Sequence, residues 1–385
     1  MRAIYFDYNA TTPLDPQVRA AMLPFLGEVW GNPSSIHQVG RQARALLDDA
    51  RDRAARVLGC KPSEVVFTSG GTESANLAIL GTARLLRSKG RHIIASAVEH
   101  HAVLHACEYL RKHEGFEVTY LAVDQAGRVG VADVAKAVRP DTILVSVMAA
   151  NNEIGTLQPV AELGALCRER GVRFHTDAVQ WFGKEPFRNI DQFNADLVSI
   201  CAHKIYGPKG AGALYLRSPL LPDPILFGGG HENERRAGTE NLAGIVGLVE
   251  ALERFVREPV FSRKHLAPLA ERLLRCIESL DGVQLAGSRE QRLVNTVSFV
   301  AEGTDSIALL AGLDLEGICA SSGSACMVGS IMPSHVLLAM GVAPDLANAT
   351  VRFSLGKQTT DTEIDEAISA MPRIFARLAP APSII

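Results

Sequence analysis

A lysine that follows a histidine, where an apolar run meets glycine turns, is the first feature of this sequence that could do chemistry. This residue is Lys204, within the stretch 198–210. A lysine amine can form a Schiff base with a carbonyl cofactor when the fold holds it desolvated or beside other charges, so that part of it is neutral. Most lysines are simply solvated. Lys204 therefore indicates such a cofactor only if residues for the rest of the cofactor accompany it.

Residues 68–74, Thr-Ser-Gly-Gly-Thr-Glu-Ser, could hold a phosphate, because they follow a strand-like run and open a helical one. Gly71 and Thr72 would present backbone N–H groups at a helix N-terminus, which favours an anion. The stretch contains neither Gly-Lys-Ser/Thr nor Gly-x-Gly-x-x-Gly, so a nucleotide loop is not indicated. Read alone, it is equally well explained as an ordinary helix cap.

Asp177 ends another apolar run and is the candidate partner for a pyridine nitrogen. A carboxylate in that position keeps the ring nitrogen protonated, which makes pyridoxal an electron sink. A turn or cap residue is the simpler explanation of an isolated aspartate. An amine, a phosphate cup and a carboxylate in one chain nevertheless favour pyridoxal phosphate as the cofactor.

The histidines that follow the run at 92–95 could serve the same cofactor. His101 and His105 have helical spacing, but the glutamate of a His-Glu-x-x-His motif is missing and no third ligand is evident, so no metal is expected. An imidazole such as that of His100 can stack on an aromatic cofactor and move protons. Asn151 offers amide donors for a phenolate or carboxylate, with a simple turn role as the alternative.

The elements that must position these residues alternate between short apolar runs and amphipathic helices. The runs predict strands at 65–68, 92–95, 118–123, 143–147, 172–176, 197–201 and 213–216. Helices between them are typical of an α/β fold with a mainly parallel sheet covered on both faces. Ligands of such sheets bind beyond the carboxyl ends of the strands, where the polar residues above are expected.

The length of 385 residues with 47% hydrophobic side chains predicts two unequal domains. The pattern changes around Pro259, where α-helices alternate with fewer strands. We therefore predict a large, mainly parallel-sheet domain at 15–258. A smaller α+β domain would be formed by 1–14 and 259–385 and would carry Cys326.

Charge and cysteine content exclude some classes of protein. With 39 basic and 42 acidic residues, no overall field would recruit nucleic acid or an anionic membrane. No run of about 18 apolar residues occurs. Seven dispersed cysteines argue against a secreted disulfide framework. We expect a cytoplasmic protein that binds neither nucleic acid nor membrane.

In order and spacing, these motifs resemble those of the NifS/IscS-type cysteine desulfurases of the class V pyridoxal-phosphate aminotransferase superfamily. Two of the matching stretches are His-Lys-Ile-Tyr-Gly-Pro-Lys-Gly at 203–210 and Ser-Ser-Gly-Ser-Ala-Cys at 321–326. The others lie at 5–12, 31–35, 68–74, 99–100, 151–155, 177–180, 228–232, 236–239 and 352–356. The resemblance covers nearly the whole chain and implies the fold-type I architecture of pyridoxal-phosphate-dependent transferases.

The resemblance also implies roles for individual residues. Lys204 would hold pyridoxal 5'-phosphate, Asp177 would pair with its ring nitrogen, and His100 would stack on the ring and shuttle protons. Gln180 would bind the ring oxygen. Gly71, Thr72 and His203 would bind the phosphate, with Thr239 reaching it from the second subunit of a homodimer. The substrate would be oriented by Asn32, by Asn151, which would also contact the cofactor, and by Arg352, whose fork matches a carboxylate.

One position departs from the family pattern. The family has Ser-x-His-Lys where this chain has Cys201-Ala202-His203-Lys204. A thiol is a weaker hydrogen-bond donor than a hydroxyl, so we expect a weaker contact of Cys201 with the phosphate and looser cofactor retention.

Cys326 is the candidate nucleophile. The residues before it are small and polar, which is typical of a loop with an accessible thiol, although a free cysteine is more often a small buried hydrophobe. The resemblance implies that Cys326 attacks the sulfur of L-cysteine, leaving L-alanine and a persulfide. The persulfide sulfur would pass to an iron-sulfur scaffold or another sulfur acceptor, for iron-sulfur clusters or other thio-cofactors.

Two other functions are compatible with parts of this pattern. An aminotransferase or selenocysteine lyase would use Lys204 and Asp177 equally well. Cys326 and its loop argue against plain transamination, and a comparison of cysteine with selenocysteine as substrates would decide the rest. A non-catalytic scaffold is disfavoured by the complete set of lysine, aspartate, histidine and cysteine.

Overall fold

A seven-stranded sheet forms the centre of the structure, a computed structural model that describes residues 3–323 and 332–378. The strands are β1 (Ile4–Tyr5), β2 (Val65–Thr68), β3 (His92–Ser96), β4 (Glu117–Leu121), β5 (Thr142–Ser146), β6 (Arg173–Asp177), β7 (Leu197–Cys201), β8 (Gly212–Leu216), β9 (Val283–Leu285), β10 (Thr296–Ala301), β11 (Ile318–Cys319) and β12 (Thr350–Ser354). The central sheet has the order β2-β8-β7-β6-β5-β3-β4.

Helices cover the sheets on their faces. The α-helices are α1 (Pro16–Met22), α2 (Gln38–Leu58), α3 (Gly71–Asn76), α4 (Thr82–Leu86), α5 (His101–His113), α6 (Val131–Ala137), α7 (Val160–Glu169), α8 (Leu242–Phe255), α9 (Arg263–Glu278), α10 (Ser306–Leu315), α11 (His335–Ala339), α12 (Pro344–Ala347) and α13 (Asp361–Leu378). A π-helical turn at Leu77–Gly81 joins α3 to α4.

The central sheet is mainly parallel, as the sequence predicts. Strands β4, β3, β5, β6 and β7 run parallel, and β8 is antiparallel to both of its neighbours. Every residue of β2, β3, β5, β7 and β8 is buried, which is expected of strands covered on both faces. The α/β fold class is confirmed.

The parallel arrangement brings the strand ends to one edge of the sheet. Strands β5, β6 and β7 end at Ser146, Asp177 and Cys201, and the chain beyond each of them carries polar residues. This edge is where a ligand of a parallel sheet binds.

A second hydrophobic core surrounds the three-stranded sheet β12-β10-β9, against which α9, α10 and α13 pack. Phe6 and Tyr8 belong to this core, and β1 pairs in parallel with β11. The division into a domain at 15–258 and one formed by 1–14 and 259–385 stays a prediction.

The sequence pattern does not predict every helix, and α8 and α1 are two that it misses. Residues 242–249 of α8 are apolar or glycine and all buried, so its N-terminal half has no polar face. Helix α1 is short and begins with Pro16 behind the Asp15 cap. Within residues 3–323 and 332–378, no helix combines the length and the apolar character that a membrane crossing requires.

Candidate cofactor and substrate site

A cavity of about 400 Å³ lies at the carboxyl-end edge of the central sheet. Its volume falls within the usual range of small-molecule sites. Residues predicted from the sequence line it together: Gly71, Thr72, His100, Asp177, Gln180, Cys201, His203, Lys204 and Arg352.

Lys204 lies in a single 3-10 turn, Ala202–Lys204, directly after β7. Its Nζ donates to the backbone carbonyls of Asn9 at 2.6 Å and Ala10 at 2.7 Å. The N-terminal segment therefore crosses the edge of the sheet and contacts the amine. Two residues further on, Tyr206 has a φ of 61°, which is unfavourable for a bulky side chain and ends this turn sharply.

Asp177 is buried at the end of β6, and its Oδ1 accepts a hydrogen bond from the Val179 amide at 2.9 Å. Burial raises the pKa of Asp177 to about 6, although the Val179 amide and Lys204 act in the opposite direction. A carboxyl with this burial gains a large stabilisation from a cationic partner. The protonated nitrogen of a pyridine ring would be such a partner.

His100 caps the N-terminus of α5, and its Nδ1 accepts from the Ala102 amide at 3.1 Å. Burial and the nearby Lys204 lower the pKa of His100 to about 4, so the ring is neutral at pH 7. Because Nδ1 is an acceptor, the proton is on Nε2. A neutral imidazole with one fixed N–H can stack on an aromatic ring and donate a proton at a defined atom.

A phosphate cup is formed where β2 leads into the continuous helical run that begins with α3. A Cβ at Gly71 would come within 2.8 Å of the Val179 side chain, so this close approach requires glycine. Cys201 lies beside the cup: burial raises the pKa of its thiol, while the Gly71 and His203 amides lower it. Its sulfur is therefore close to backbone donors that the sequence assigns to the phosphate.

Arg352 on β12 is 2% exposed and faces the cavity. It donates to Asp7 Oδ1 at 2.7 Å and to the Asn152 carbonyl at 2.8 Å. Its buried Nε has no hydrogen-bond partner among the residues that the structure describes. An unpaired donor on a fixed guanidinium is suited to a substrate carboxylate.

Three predicted residues do not line this cavity. Asn151 is buried, and its side chain already bonds the Val98 carbonyl and the Glu153 and Ile154 amides. Asn32 and Thr239 are exposed elsewhere. Cys326 lies outside the described residues, and the chain before it reaches the cavity at Gly323. The roles of all these residues stay predictions.

The cavity also contains residues to which sequence reasoning gave no role. Asn9 lies in a stretch that matches the family but has no predicted role, and Glu153 follows the predicted Asn151 by two residues. Their location within or beside these motifs is the sequence signal from which they could have been predicted. His101 and His335 lie 4.6 Å apart between ring centroids, although they are far apart in the sequence, and nothing in their spacing indicated this contact.

The arrangement fits a phosphorylated pyridine aldehyde. Lys204 supplies an amine for the carbonyl, Asp177 a buried carboxyl for the ring nitrogen, and His100 a neutral ring to stack. The glycine-dependent close approach to Val179 is the place where the predicted phosphate cup, which lacks a Walker loop, would hold the phosphate. Within the described residues, no group of three or more histidine, cysteine or acidic side chains could hold a metal ion.

Comparisons with known proteins agree with this chemistry. The family model described as aminotransferase class-V matches residues 4–367. Cysteine desulfurase IscS of Dictyoglomus turgidum is 48% identical over 378 residues, covering 98% of this chain and 95% of its own. The protein of the same name from Methanosarcina thermophila is 46% identical over 377 residues, covering 98% and 93%.

Solved structures give the same result. A NifS-like protein superposes with a TM-score of 0.90 at 38% identity, covering 97% of this chain and 100% of its own. The structure described as SspA in complex with cysteine has a TM-score of 0.81 at 36% identity, covering 93% and 100%. The resemblance predicted from the motifs is confirmed, and so is the transferase fold that it implies.

Replacing Asp177 by asparagine should stabilise the cofactor-free protein at pH 7 and weaken its binding of pyridoxal phosphate. The folded-state pKa of about 6 lies above the ordinary 3.8. Stability is therefore lost as the pH rises through these two values, because the folded state binds the extra proton. Above pH 6 the ionised carboxyl costs up to about 3 kcal/mol, a cost that the amide avoids. Urea unfolding measures the effect: Asp177→Asn should be more stable than the wild type at pH 7, and this difference should largely disappear at pH 4.

The control is Asp133→Asn, because Asp133 is an exposed aspartate on α6. It should change neither stability nor cofactor affinity. Equal stability of Asp177→Asn and the wild type at pH 7 would contradict the proposed cost of the buried carboxyl.

Replacing Cys201 by serine should tighten cofactor binding. A hydroxyl is the stronger donor, and one additional hydrogen bond of about 1 kcal/mol corresponds to about fivefold in affinity. Absorbance titration of the cofactor-free protein with pyridoxal phosphate measures the change. Cys276→Ser, at a half-buried cysteine on α9, is the control. An unchanged or weaker affinity in Cys201→Ser would refute the expected weakness of the thiol contact.

Proposed function

The chain belongs to the class-V aminotransferase family, and we infer that it is a cysteine desulfurase that depends on pyridoxal 5'-phosphate. Relatives named cysteine desulfurase match it over almost its whole length. The observation that carries the assignment is one cavity in which Lys204, Asp177 and Arg352 meet. These are an amine for the cofactor, a carboxyl for its ring nitrogen and a guanidinium for an amino-acid carboxylate.

The bound cofactor supplies an electron sink that stabilises negative charge at the α-carbon of the substrate. We propose that Asp177 and His100 hold its ring, and that Gln180 contacts the ring oxygen. Gly71, Thr72, Cys201 and His203 would surround its phosphate. Lys204 is the residue that would bind its carbonyl carbon.

The substrate is held by Arg352, whose guanidinium is fixed by Asp7 and the Asn152 carbonyl. Because two of its contacts are already made, binding a carboxylate requires little further ordering of the side chain. Lys204 is the candidate base for the proton on the α-carbon. His100, neutral and protonated at Nε2, can donate a proton near the ring.

Sulfur transfer is assigned to Cys326. Its thiolate would attack the substrate sulfur, forming a sulfur–sulfur bond as the carbon–sulfur bond breaks. The carbon is released as L-alanine, and the sulfur stays on Cys326 as a persulfide. Supporting this role, Gly323 lines the cavity three residues earlier in the sequence.

We further propose a homodimer formed by a second copy of this chain. Trp30 is 74% exposed and Phe227 is 84% exposed, which is unusual for side chains of this size. The segments that carry them approach each other, since Ser34 and Gly229 line one shared cavity. Thr239 and Asn32 lie outside the chain's own cofactor cavity, and a partner copy could bring them to the other site.

The sulfur acceptor is proposed to be an iron-sulfur scaffold or another acceptor protein, in the cytoplasm. The family resemblance supports the sulfur acceptor, and the dispersed cysteines support the cytoplasmic location. The two-domain division at 15–258 and at 1–14 with 259–385 is proposed because separate hydrophobic cores surround the two larger sheets.

Replacing Cys326 by alanine should abolish persulfide and alanine formation from L-cysteine while cofactor binding stays unchanged. The reason is that alanine removes the nucleophile and leaves the lysine, carboxyl and phosphate cup intact. Alanine release and protein-bound persulfide are measured after incubation with L-cysteine, and cofactor binding by absorbance. Cys276→Ala is the control and should behave as the wild type. Normal persulfide output from Cys326→Ala would refute the assignment.

Replacing Phe227 by glutamate should convert the dimer to a monomer. A charge at the centre of an apolar interface is costly to bury. Sedimentation equilibrium measures the mass, and cofactor titration should show weaker binding if Thr239 acts on the partner's phosphate. Leu315→Glu is the matched control, because Leu315 is 75% exposed on α10. A wild-type protein that is monomeric would overturn the proposal.

A further inference from the structure

Lys184 is a buried lysine to which the proposed chemistry gives no role. It is 3% exposed, and its Nζ contacts the ring of Phe261 at 5.1 Å from the centroid. Within the described part of the chain it makes no ion pair with a carboxylate. Burying an amine without a counter-ion costs free energy, so its contacts are expected to matter.

The amine of Lys184 makes two hydrogen bonds, both to side-chain amides. It donates to Asn9 Oδ1 at 2.6 Å and, over a short distance, to Gln180 Oε1. Burial lowers the pKa of Lys184 well below its usual value, and the charges of Lys204 and Arg352 lower it further. Both the charged and the neutral amine have at least two N–H groups, so both donate to these two acceptors.

These contacts fix the orientation of the Gln180 amide. With Oε1 facing Lys184, Nε2 donates one hydrogen to the Asn9 carbonyl at 3.0 Å. The second hydrogen of Nε2 is left for a ligand in the cavity, which the Gln180 side chain lines. The reversed amide would place Oε1 against the Asn9 carbonyl and its NH2 group against the Lys184 amine. The hydrogen bond to the Asn9 carbonyl would be replaced by a contact between two oxygen acceptors, and a charged Lys184 would face two N–H groups, so the observed orientation is favoured.

Asn9 links these contacts to Lys204. The Asn9 carbonyl that accepts from Gln180 also accepts from Lys204 Nζ at 2.6 Å. The Asn9 side chain is held through Oδ1 by Lys184 and by Asn295 Nδ2 at 3.1 Å. Lys184 therefore supports a carbonyl that contacts the candidate Schiff-base lysine.

We propose that Lys184 is a positioning residue of the cofactor site, which orients Gln180 so that an N–H group faces the ring oxygen of the cofactor and holds Asn9 against Lys204. The proposal rests on the proposed use of pyridoxal phosphate. It assigns Lys184 no contact with substrate or cofactor, since Lys184 acts through the two amides.

The test is Lys184→Met, which keeps an unbranched side chain only one atom shorter and removes the donor. We expect about tenfold weaker binding of pyridoxal phosphate to the cofactor-free protein, and a changed visible absorption spectrum of the bound cofactor. Two opposing effects act on the free energy of unfolding without cofactor, because removal of a buried amine favours folding whereas Gln180 Oε1 loses its donor, so only a small net change is expected. Lys136→Met, at an exposed lysine on α6, is the control.

A double-mutant cycle with Gln180→Ala separates positioning from general packing. Because Lys184 acts through Gln180 as well as through Asn9, the loss of affinity caused by Lys184→Met should be clearly smaller in the Gln180→Ala background than in the wild type. Additive losses, or an unchanged affinity and spectrum in Lys184→Met, would overturn the proposal.

If Lys184→Met does not fold, Gln180→Glu replaces it in the test. Its carboxylate keeps an acceptor for Lys184 but has no N–H for the ring oxygen, so about tenfold weaker binding is expected, and wild-type binding would overturn the proposal. These readouts need no substrate. Failure of the positioning role would leave desulfuration by the wild type intact. Absence of desulfuration in the wild type would instead refute the proposed function.

Discussion

The site depends on a chain crossing in which the backbone and side chain of Asn9 bind groups from several parts of the fold. Its carbonyl accepts from Lys204 and Gln180, and its amide N–H donates to Ser354 Oγ at 2.9 Å. Its side chain bonds Lys184 and also, at 2.9 Å, Thr296 on β10. A buried polar segment is stable only when its donors and acceptors are paired. The N-terminal residues therefore join the edge of the central sheet to the smaller sheet, and this junction is the cavity.

The electrostatics of the cavity follow from the same burial. Lys204 and Arg352 place an amine and a guanidinium in its lining, and Lys184 lies behind Gln180. Asp177 and Glu153 are buried carboxyl groups in the same lining. Desolvation makes each charge costly, raising the pKa of Asp177 and lowering that of His100. A ligand with an anionic phosphate, a cationic ring nitrogen and an aldehyde relieves these costs together, which explains why one cofactor satisfies a site whose groups are individually unfavourable.

The sequence predicts those parts of the site that are tied to strand ends. Most of the strands coincide with short, mainly apolar runs, so the sequence predicts that Asp177 and Cys201, which end β6 and β7, lie at one edge of the sheet. Lys184 and Asn9 could not, because a single lysine or asparagine is usually solvated and no periodicity identifies its partners. Asn151 illustrates a different limit. Asn152 and Glu153 line the cavity, whereas Asn151 in the same turn bonds the backbone. Sequence spacing cannot distinguish between adjacent residues of one turn. Helix α8 is not evident from the sequence because its N-terminal half is apolar and buried on all sides.

Cofactor chemistry and reaction choice reside in different parts of the chain, and the backbone connects them. Lys204 and Asp177 belong to the central sheet and would serve transamination as well as desulfuration. Arg352 belongs to β12, and its amide donates to the Ser321 carbonyl at 2.7 Å while the Ser321 amide donates back. Ser321 is therefore bridged to the residue proposed to bind the substrate carboxylate, and the sequence continues from it through Gly323 to Cys326. A displacement of β12 would move the carboxylate anchor and the start of this segment together. With the roles proposed for Arg352 and Cys326, substrate binding and the approach of the nucleophile would both depend on the backbone bridge between Ser321 and Arg352.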